Sequence, residues 1–150
     1  MAMTEKLYFD DLQIGQTFES RTSALDEAQI KTFAAEYDPQ PFHLDDELAK
    51  ETVFAGLAAS GWHTAALSMR LMVESLPIAG GLIGLGADIS WPKAVRASDV
   101  LNLVSEVVEK IPSKSRQDRG IVKVRCTTFN QNGETVQILT PTMIVPRRVS

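Results

Sequence analysis

The segment from Trp62 to Leu76 restricts what this chain can fold into more than any other part of the sequence. It is rich in apolar residues, and Arg70 and Glu74 are its only charged residues. The apolar residues would lie on nearly every side of a helix, and a helix of that kind is usually enclosed by the rest of its own domain. We therefore predict a long buried helix that begins at Gly61.

The sequence after this helix predicts β structure. Between residues 83 and 91, apolar residues alternate with small or polar ones, with the period of two that is typical of a strand. Residues 100–108 and 120–129 are two further predicted strands. The Asn132-Gly133 pair predicts a tight hairpin turn before a last strand. We expect four strands in this half of the chain.

Shorter elements precede the helix. Residues 17–22 have strand-like residue types, and Asp26 is well placed to cap a helix that must end at Pro39. A second short helix is predicted from His43 to Lys50. Strands that follow helices indicate an α+β protein with an antiparallel sheet. A sheet that curls around the long helix satisfies both patterns, and this arrangement is the hotdog architecture.

The bulk composition indicates one globular domain that spans residues 1–150. The chain is 44% hydrophobic and 23% charged, which is typical of a globular protein. A chain of this length buries about 70% of the surface that its unfolded form exposes, so a second domain is not needed. The net charge of −4 argues against nucleic-acid binding, which requires a basic face.

The sequence also predicts the cellular compartment of the protein. Its N-terminus lacks the apolar region of a secretory signal, and no stretch reaches the roughly 18 apolar residues of a membrane span. The single cysteine, Cys126, cannot form an intrachain disulfide or supply a cysteine-based metal site. We therefore expect a cytoplasmic protein that binds neither membrane nor metal.

A carboxylate and an imidazole, those of Asp38 and His43, lie five residues apart on a segment stiffened by Pro39 and Pro41. Each proline disfavours the helical conformation in the residue before it, so we expect a loop. A stiff loop loses less conformational entropy when it holds two side chains in one geometry. Taken alone, Asp38 is consistent with a turn or capping residue, which is the usual role of Asp in loops, and His43 with a helix cap or a buried histidine.

Residues 34–45, which read Ala-Ala-Glu-Tyr-Asp-Pro-Gln-Pro-Phe-His-Leu-Asp, resemble the signature of the MaoC-like dehydratases, also called hydratase 2 or (R)-specific enoyl-CoA hydratases. The family pattern is Asp-x-Asn-Pro-x-His, and Asp38, Pro41 and His43 match it in type and spacing. Gln40 stands where the family usually has Asn. Residues 59–62 and 91–99 are also similar to family segments, so the resemblance covers most of the chain.

The resemblance implies reversible addition of water to the double bond of a trans-2-enoyl thioester, which gives an (R)-3-hydroxyacyl product. Asp38 and His43 would hold the water and exchange the roles of base and acid, while Gly61 would let the thioester oxygen reach N–H groups at the helix start. Gln40 and Trp62 would orient or bind the substrate. The reaction needs a base, an acid and such donors. No cofactor is implied, because coenzyme A is part of the substrate.

Two other functions are also compatible with the sequence. A hotdog acyl-CoA thioesterase would use the carboxylate to direct water at the thioester carbon, and an acyl-CoA-binding subunit would have no activity. Edge strands and a sheet with one helical face predict a homodimer or a multiple of dimers. Four basic residues either lie on the solvated surface or contact coenzyme A phosphates: Lys93, Arg96, Arg147 and Arg148. For the second histidine, His63, packing is favoured over a direct role.

Overall fold

The computed structural model describes residues 5–148 of the chain. Within this range, no helix is long and apolar enough to cross a membrane. A short 3-10 turn at Phe9–Asp11 precedes the longer elements. These are, in chain order, β1 (Thr17–Glu19), β2 (Ser23–Ala24), α1 (Glu27–Tyr37), α2 (Pro41–Leu44), α3 (Asp46–Ala49), α4 (Gly61–Ser75), β3 (Ile83–Ser90), β4 (Val100–Pro112), β5 (Arg119–Phe129) and β6 (Thr135–Pro146).

The strands form one antiparallel sheet in the order β1-β4-β5-β6-β3, and β2 pairs with the first residues of β4. The β5–β6 connection confirms the predicted hairpin. Its turn is longer than predicted, because it spans residues 130–134. The backbone of the turn also differs from the prediction, since φ is positive at Gly133, where it is 73°, but not at Asn132. A two-residue type I′ turn would require a positive φ at both.

Helix α4 packs one face against this sheet. The buried face carries Thr64, Ser68, Leu71 and Met72. The sheet contributes apolar side chains from its three long strands to the same core: Leu103, Val107, Val122, Val124, Cys126, Met143 and Val145. The predicted α+β hotdog architecture, an antiparallel sheet with a long helix packed against it, is confirmed.

The opposite face of α4 is not covered by residues 5–148, so the prediction that this helix is enclosed on all sides is wrong for the single chain. Trp62, Met69 and Val73 are 60%, 42% and 54% exposed, and Ala66 between them is exposed as well. Positions spaced three and four residues apart lie on one face of a helix. The apolar stripe therefore points away from the sheet, which covers only one side of α4.

His43 lies on a one-turn helix and not in the predicted loop. Pro41 is the first residue of α2, a position where the missing N–H has no helical partner to lose and the fixed φ suits the helix. The helix that was predicted from His43 to Lys50 is divided at Asp45, whose side chain accepts a hydrogen bond from the Leu48 N–H and caps α3. The non-helical part of the segment is thus limited to residues 38–40.

Candidate active site

A cavity of about 360 Å³ lies between the start of α4, the connection from α1 to α2 and the segment that follows β3. Asp38, His43, Gly61 and Trp62 all contribute to its walls. These are four of the five site residues predicted from the sequence. Gln40, the fifth, does not line the cavity but contacts Asp38 through its side-chain amide. The fold therefore brings all five residues to one place.

Asp38 directly follows α1, and both of its carboxylate oxygens accept hydrogen bonds. Oδ1 accepts one from the Gln40 amide at 2.6 Å, and Oδ2 accepts one from the Ser60 hydroxyl at 2.7 Å. Burial alone would raise the pKa of the Asp38 carboxyl, but the hydrogen bonds from Ser60 and Gln40 and the nearby His43 outweigh it and hold the pKa below its ordinary value. Asp38 is therefore ionised at neutral pH, and the longer side chain of Gln40 still reaches it.

His43 is buried, and its two ring nitrogens have different surroundings. Nδ1 lies 2.7 Å from the carbonyl oxygen of Ala58. Because a carbonyl can only accept a hydrogen bond, Nδ1 carries the proton, and Nε2 has none in the neutral ring. Nε2 lies 3.3 Å from Oδ2 of Asp38. Two acceptors this close are joined either by a proton on Nε2 or by a water molecule that donates to both.

The first turn of α4 brings backbone donors to the same cavity. Ser60 caps the helix, since its hydroxyl accepts a hydrogen bond from the Trp62 N–H at 3.2 Å. The Gly61 N–H forms no hydrogen bond with residues 5–148. An unpaired N–H at a helix N-terminus, where the helix dipole is positive, is suited to bind an oxygen that carries partial negative charge.

Ser60 has a role in this site that sequence reasoning missed. Its hydroxyl donates to Asp38 while it accepts from the helix backbone, so one side chain connects the carboxylate to α4. The available signal was the preference for serine at the position just before a helix. That preference predicts the helix cap but not the contact with Asp38, which is 22 residues away in the chain.

Gly61 is also required by packing against Trp91, a cavity residue that sequence reasoning did not identify. A Cβ at position 61 would lie 2.7 Å from the Trp91 ring, closer than real Cβ atoms approach other atoms. The Trp91 indole N–H donates to the Gln137 side-chain oxygen at 3.0 Å, which fixes the ring. Trp62 packs edge-on against the same ring, with ring centroids 5.4 Å apart. A larger residue at position 61 would therefore displace a wall of the cavity.

One of the four basic residues considered for coenzyme A lines the cavity. This residue is Lys93, which also pairs with Glu134 at 3.1 Å. Arg147 and Arg148 form ion pairs with acidic residues near the N-terminus. Arg96 donates its guanidinium hydrogen bonds to backbone carbonyls. Lys93 is thus the basic residue best placed to meet a phosphate of a ligand in this cavity.

The second histidine, His63, packs against an aromatic ring of α1. His63 stacks on Phe33 with ring centroids 4.7 Å apart and does not line the cavity. Burial lowers the pKa of its imidazole, which favours the neutral, packed histidine predicted from the sequence. In the part of the chain that the structure describes, no cluster of three or more His, Cys, Asp or Glu residues could hold a metal ion.

Replacing Ser60 with Ala should raise the pKa of the Asp38 carboxyl, because the charged form loses a hydrogen-bond donor. As pH falls, Asp38 should then become protonated at a higher pH than in the wild type. Carbon-13 NMR titration of the Asp38 carboxyl measures this shift. Ser75→Ala is the matched control, because that hydroxyl bonds to the Leu71 carbonyl near the other end of α4 and should not affect Asp38. Equal pKa values in Ser60→Ala and the wild type would contradict the assigned contact.

Comparison with known proteins identifies relatives in sequence and in structure. The sequence profile of the MaoC like domain matches residues 11–130. The crystal structure of a MaoC-like dehydratase from Rhodospirillum rubrum has a TM-score of 0.94 and 50% sequence identity, and the match covers 96% of this chain and 99% of that chain. The family match and the structural match therefore both span most of the chain.

Two further relatives have named activities. A 3-hydroxybutyryl-CoA dehydratase from Methylorubrum extorquens is 31% identical over 111 residues, which is 73% of this chain and 69% of the relative. An (R)-specific enoyl-CoA hydratase from Rhodospirillum rubrum is 28% identical over 142 residues, or 94% and 93% of the two chains. The resemblance predicted from the Asp38–His43 segment is thus confirmed at the level of the family. This chain belongs to the MaoC-like domain family.

Proposed function

We propose that this protein adds water reversibly to the double bond of a trans-2-enoyl-CoA and so forms an (R)-3-hydroxyacyl-CoA. The observation that carries the proposal is the 3.3 Å approach of His43 Nε2 to Asp38 Oδ2, in a cavity that Gly61 also lines. The relatives named as a hydratase and as a dehydratase support it, because their names describe the two directions of one type of reaction.

In the proposed hydration, one water molecule donates hydrogen bonds to the Asp38 carboxylate and to the unprotonated Nε2 of His43. As the water oxygen forms a bond to C3 of the enoyl group, the Asp38–His43 pair takes up one water proton. The same pair then supplies a proton to C2, which leaves the pair in its starting state. A base and an acid that share one proton in this way run the reaction in both directions.

The proposed site also stabilises the charge that develops on the thioester. When water adds to C3, electron density moves to the thioester oxygen, which becomes enolate-like. The unpaired Gly61 N–H at the positive end of the α4 dipole would donate to this oxygen. Loss of one such donor typically costs about 100- to 1,000-fold in kcat. The reaction consumes no redox equivalents, so the chain needs only the acid, the base and this donor.

The first test is incubation with crotonyl-CoA, a short trans-2-enoyl-CoA. We expect the enoyl absorbance to fall without release of free thiol. Asp38→Asn and His43→Ala should each lower kcat by at least about 100-fold, because each removes one partner of the water. The matched controls are Asp45→Asn and His63→Ala, which change the same residue types outside the cavity and should retain activity.

The alternatives predict different outcomes of this test. Thiol release without loss of the double bond would show a thioesterase. Binding of crotonyl-CoA without turnover, in the wild type as in the Asp38 and His43 variants, would show a non-catalytic acyl-CoA-binding subunit. Either outcome contradicts the proposed hydration.

We also propose that two copies of the chain associate through the exposed face of α4 and through β3. Strand β3 is at one edge of the sheet, and Ile83 and Leu85 on it are 53% and 61% exposed. An edge strand has unpaired backbone N–H and C=O groups, and exposed apolar side chains on it favour pairing with another chain. The apolar stripe of α4 is the second uncovered surface. A second copy would pair with the edge strand and cover this stripe.

Val73→Lys places a charge in the exposed stripe of α4 and should shift the protein from dimer toward monomer, because a charge there would be buried without a partner. Light scattering at micromolar protein concentration measures the mass. Val53→Lys makes the same change at a residue outside this stripe that is 95% exposed, and it should leave the mass unchanged. A monomeric wild-type protein would contradict the proposal.

A further inference from the structure

We infer that Arg96 is a positioning residue for His43, and that it acts through the backbone of the segment from Phe54 to Ala58. This inference rests on the proposed hydration, for which the tautomer and position of the His43 ring are essential. The sequence left Arg96 as a surface residue or a contact for phosphate. In the structure its guanidinium donates instead to three carbonyls of this segment.

The guanidinium of Arg96 holds the segment from one side. Nη1 donates to the carbonyl of Gly56 at 2.9 Å and to that of Leu57 at 3.1 Å, and Nη2 donates to the carbonyl of Phe54. A planar guanidinium can serve several acceptors at once in a fixed geometry, whereas the ammonium of a lysine is a flexible point charge. Three bonds from one side chain fix the segment more firmly than isolated contacts would.

The backbone of Arg96 is also held in place by a hydrogen bond. Its backbone N–H donates to Oδ2 of Asp99 at 2.8 Å. Asp99 is buried, and its Oδ1 accepts a hydrogen bond from the Gln131 amide at 2.9 Å. The guanidinium therefore extends from a fixed part of the backbone just before β4.

The segment needs such support because it has no regular secondary structure. Ala55 has a φ of +55°, a conformation that residues other than glycine rarely adopt. Backbone of this kind persists when the surrounding contacts over-determine it. Besides the Arg96 contacts, the side chain of Asp46 accepts a hydrogen bond from the Leu57 N–H at 2.9 Å.

The segment leads directly to the group that orients His43. The Ala58 carbonyl accepts the hydrogen bond from Nδ1 of His43, and the Ala58 N–H donates to the Phe42 carbonyl at 3.0 Å. If the segment shifts, the Ala58 carbonyl shifts with it, and Nε2 of His43 is no longer held toward Asp38. A displacement of about 1 Å at such a group can cost about 100-fold in rate.

A second cavity beside Arg96 allows a chemical rescue experiment. It has a volume of about 450 Å³, and Glu27, Asp46 and Gly56 are among the residues that line it with Arg96. The two carboxylates favour a cation there. In an Arg96→Ala variant, a free guanidinium ion should therefore bind in place of the missing side chain and donate to the same carbonyls.

The experiment compares Arg96→Ala and Arg96→Lys with the wild type and with Arg116→Ala, which removes an exposed arginine from the β4–β5 connection. We expect kcat with crotonyl-CoA to fall by about 10- to 100-fold in both Arg96 variants with little change in KM, because His43 is displaced while the cavity remains. Arg116→Ala should match the wild type. Guanidinium chloride at low, non-denaturing concentration should restore part of the activity of Arg96→Ala, and sodium chloride at equal ionic strength should not.

A second measurement does not depend on activity. Two-bond proton–nitrogen NMR spectra report which nitrogen of His43 carries the proton. We expect the Nδ1–H form in the wild type, a mixture of tautomers in Arg96→Ala, and a return toward the Nδ1–H form when guanidinium is added. Arg96→Lys keeps the aliphatic stem and the charge, so it provides a folded variant if Arg96→Ala does not fold.

The outcomes separate this inference from the proposed function. If the wild type hydrates crotonyl-CoA and the Arg96 variants retain both its kcat and the His43 tautomer, Arg96 is not a positioning residue. If the wild type hydrates no enoyl-CoA, the proposed function fails, and the tautomer measurement still decides whether Arg96 controls His43.

Discussion

The hydrogen bond from the Ser60 hydroxyl to the Asp38 carboxylate connects two of the three parts of the chain that form the cavity. Asp38 follows α1, and Ser60 precedes α4. Because the same hydroxyl accepts the Trp62 N–H, the cap of the central helix and the orientation of the carboxylate depend on one oxygen atom. This contact holds Asp38 against the residue that precedes Gly61, with its Oδ2 3.3 Å from Nε2 of His43, so the proposed reaction depends on it.

Burying a carboxylate and an imidazole in a cavity costs folding free energy unless other groups form hydrogen bonds with them. Here each has a defined partner on the side away from the reaction: Gln40 for Asp38 and the Ala58 carbonyl for His43. These partners leave one oxygen and one nitrogen directed at each other, both as acceptors. A water molecule that donates to both, or a proton on Nε2, would satisfy them. The groups around the cavity thus also lower the pKa of Asp38 and set the His43 tautomer that the proposed hydration requires.

The family resemblance supplied the proposed acid and base roles of Asp38 and His43. Local patterns predicted that these two residues lie together, because they are close in the chain, and predicted the hotdog architecture, because the strands alternate with period two. They could not predict the contacts of Ser60 and Arg96, whose partners lie 22 and 40 residues away. The exposure of α4 was mispredicted for another reason. Periodicity shows which residues are apolar, but it does not show whether the chain's own sheet or a second molecule covers them.

The proposed hydration requires Asp38 and His43 to direct a water molecule to C3 of an enoyl-CoA. The most direct measurement is turnover of crotonyl-CoA in water labelled with heavy oxygen, with the product analysed by mass spectrometry. We expect the label in the 3-hydroxyl group of intact (R)-3-hydroxybutyryl-CoA, and we expect Asp38→Asn to slow its incorporation by at least about 100-fold. Label in the carboxylate of a released acid, together with free coenzyme A, would place the attack at the thioester carbon and contradict the proposed hydration.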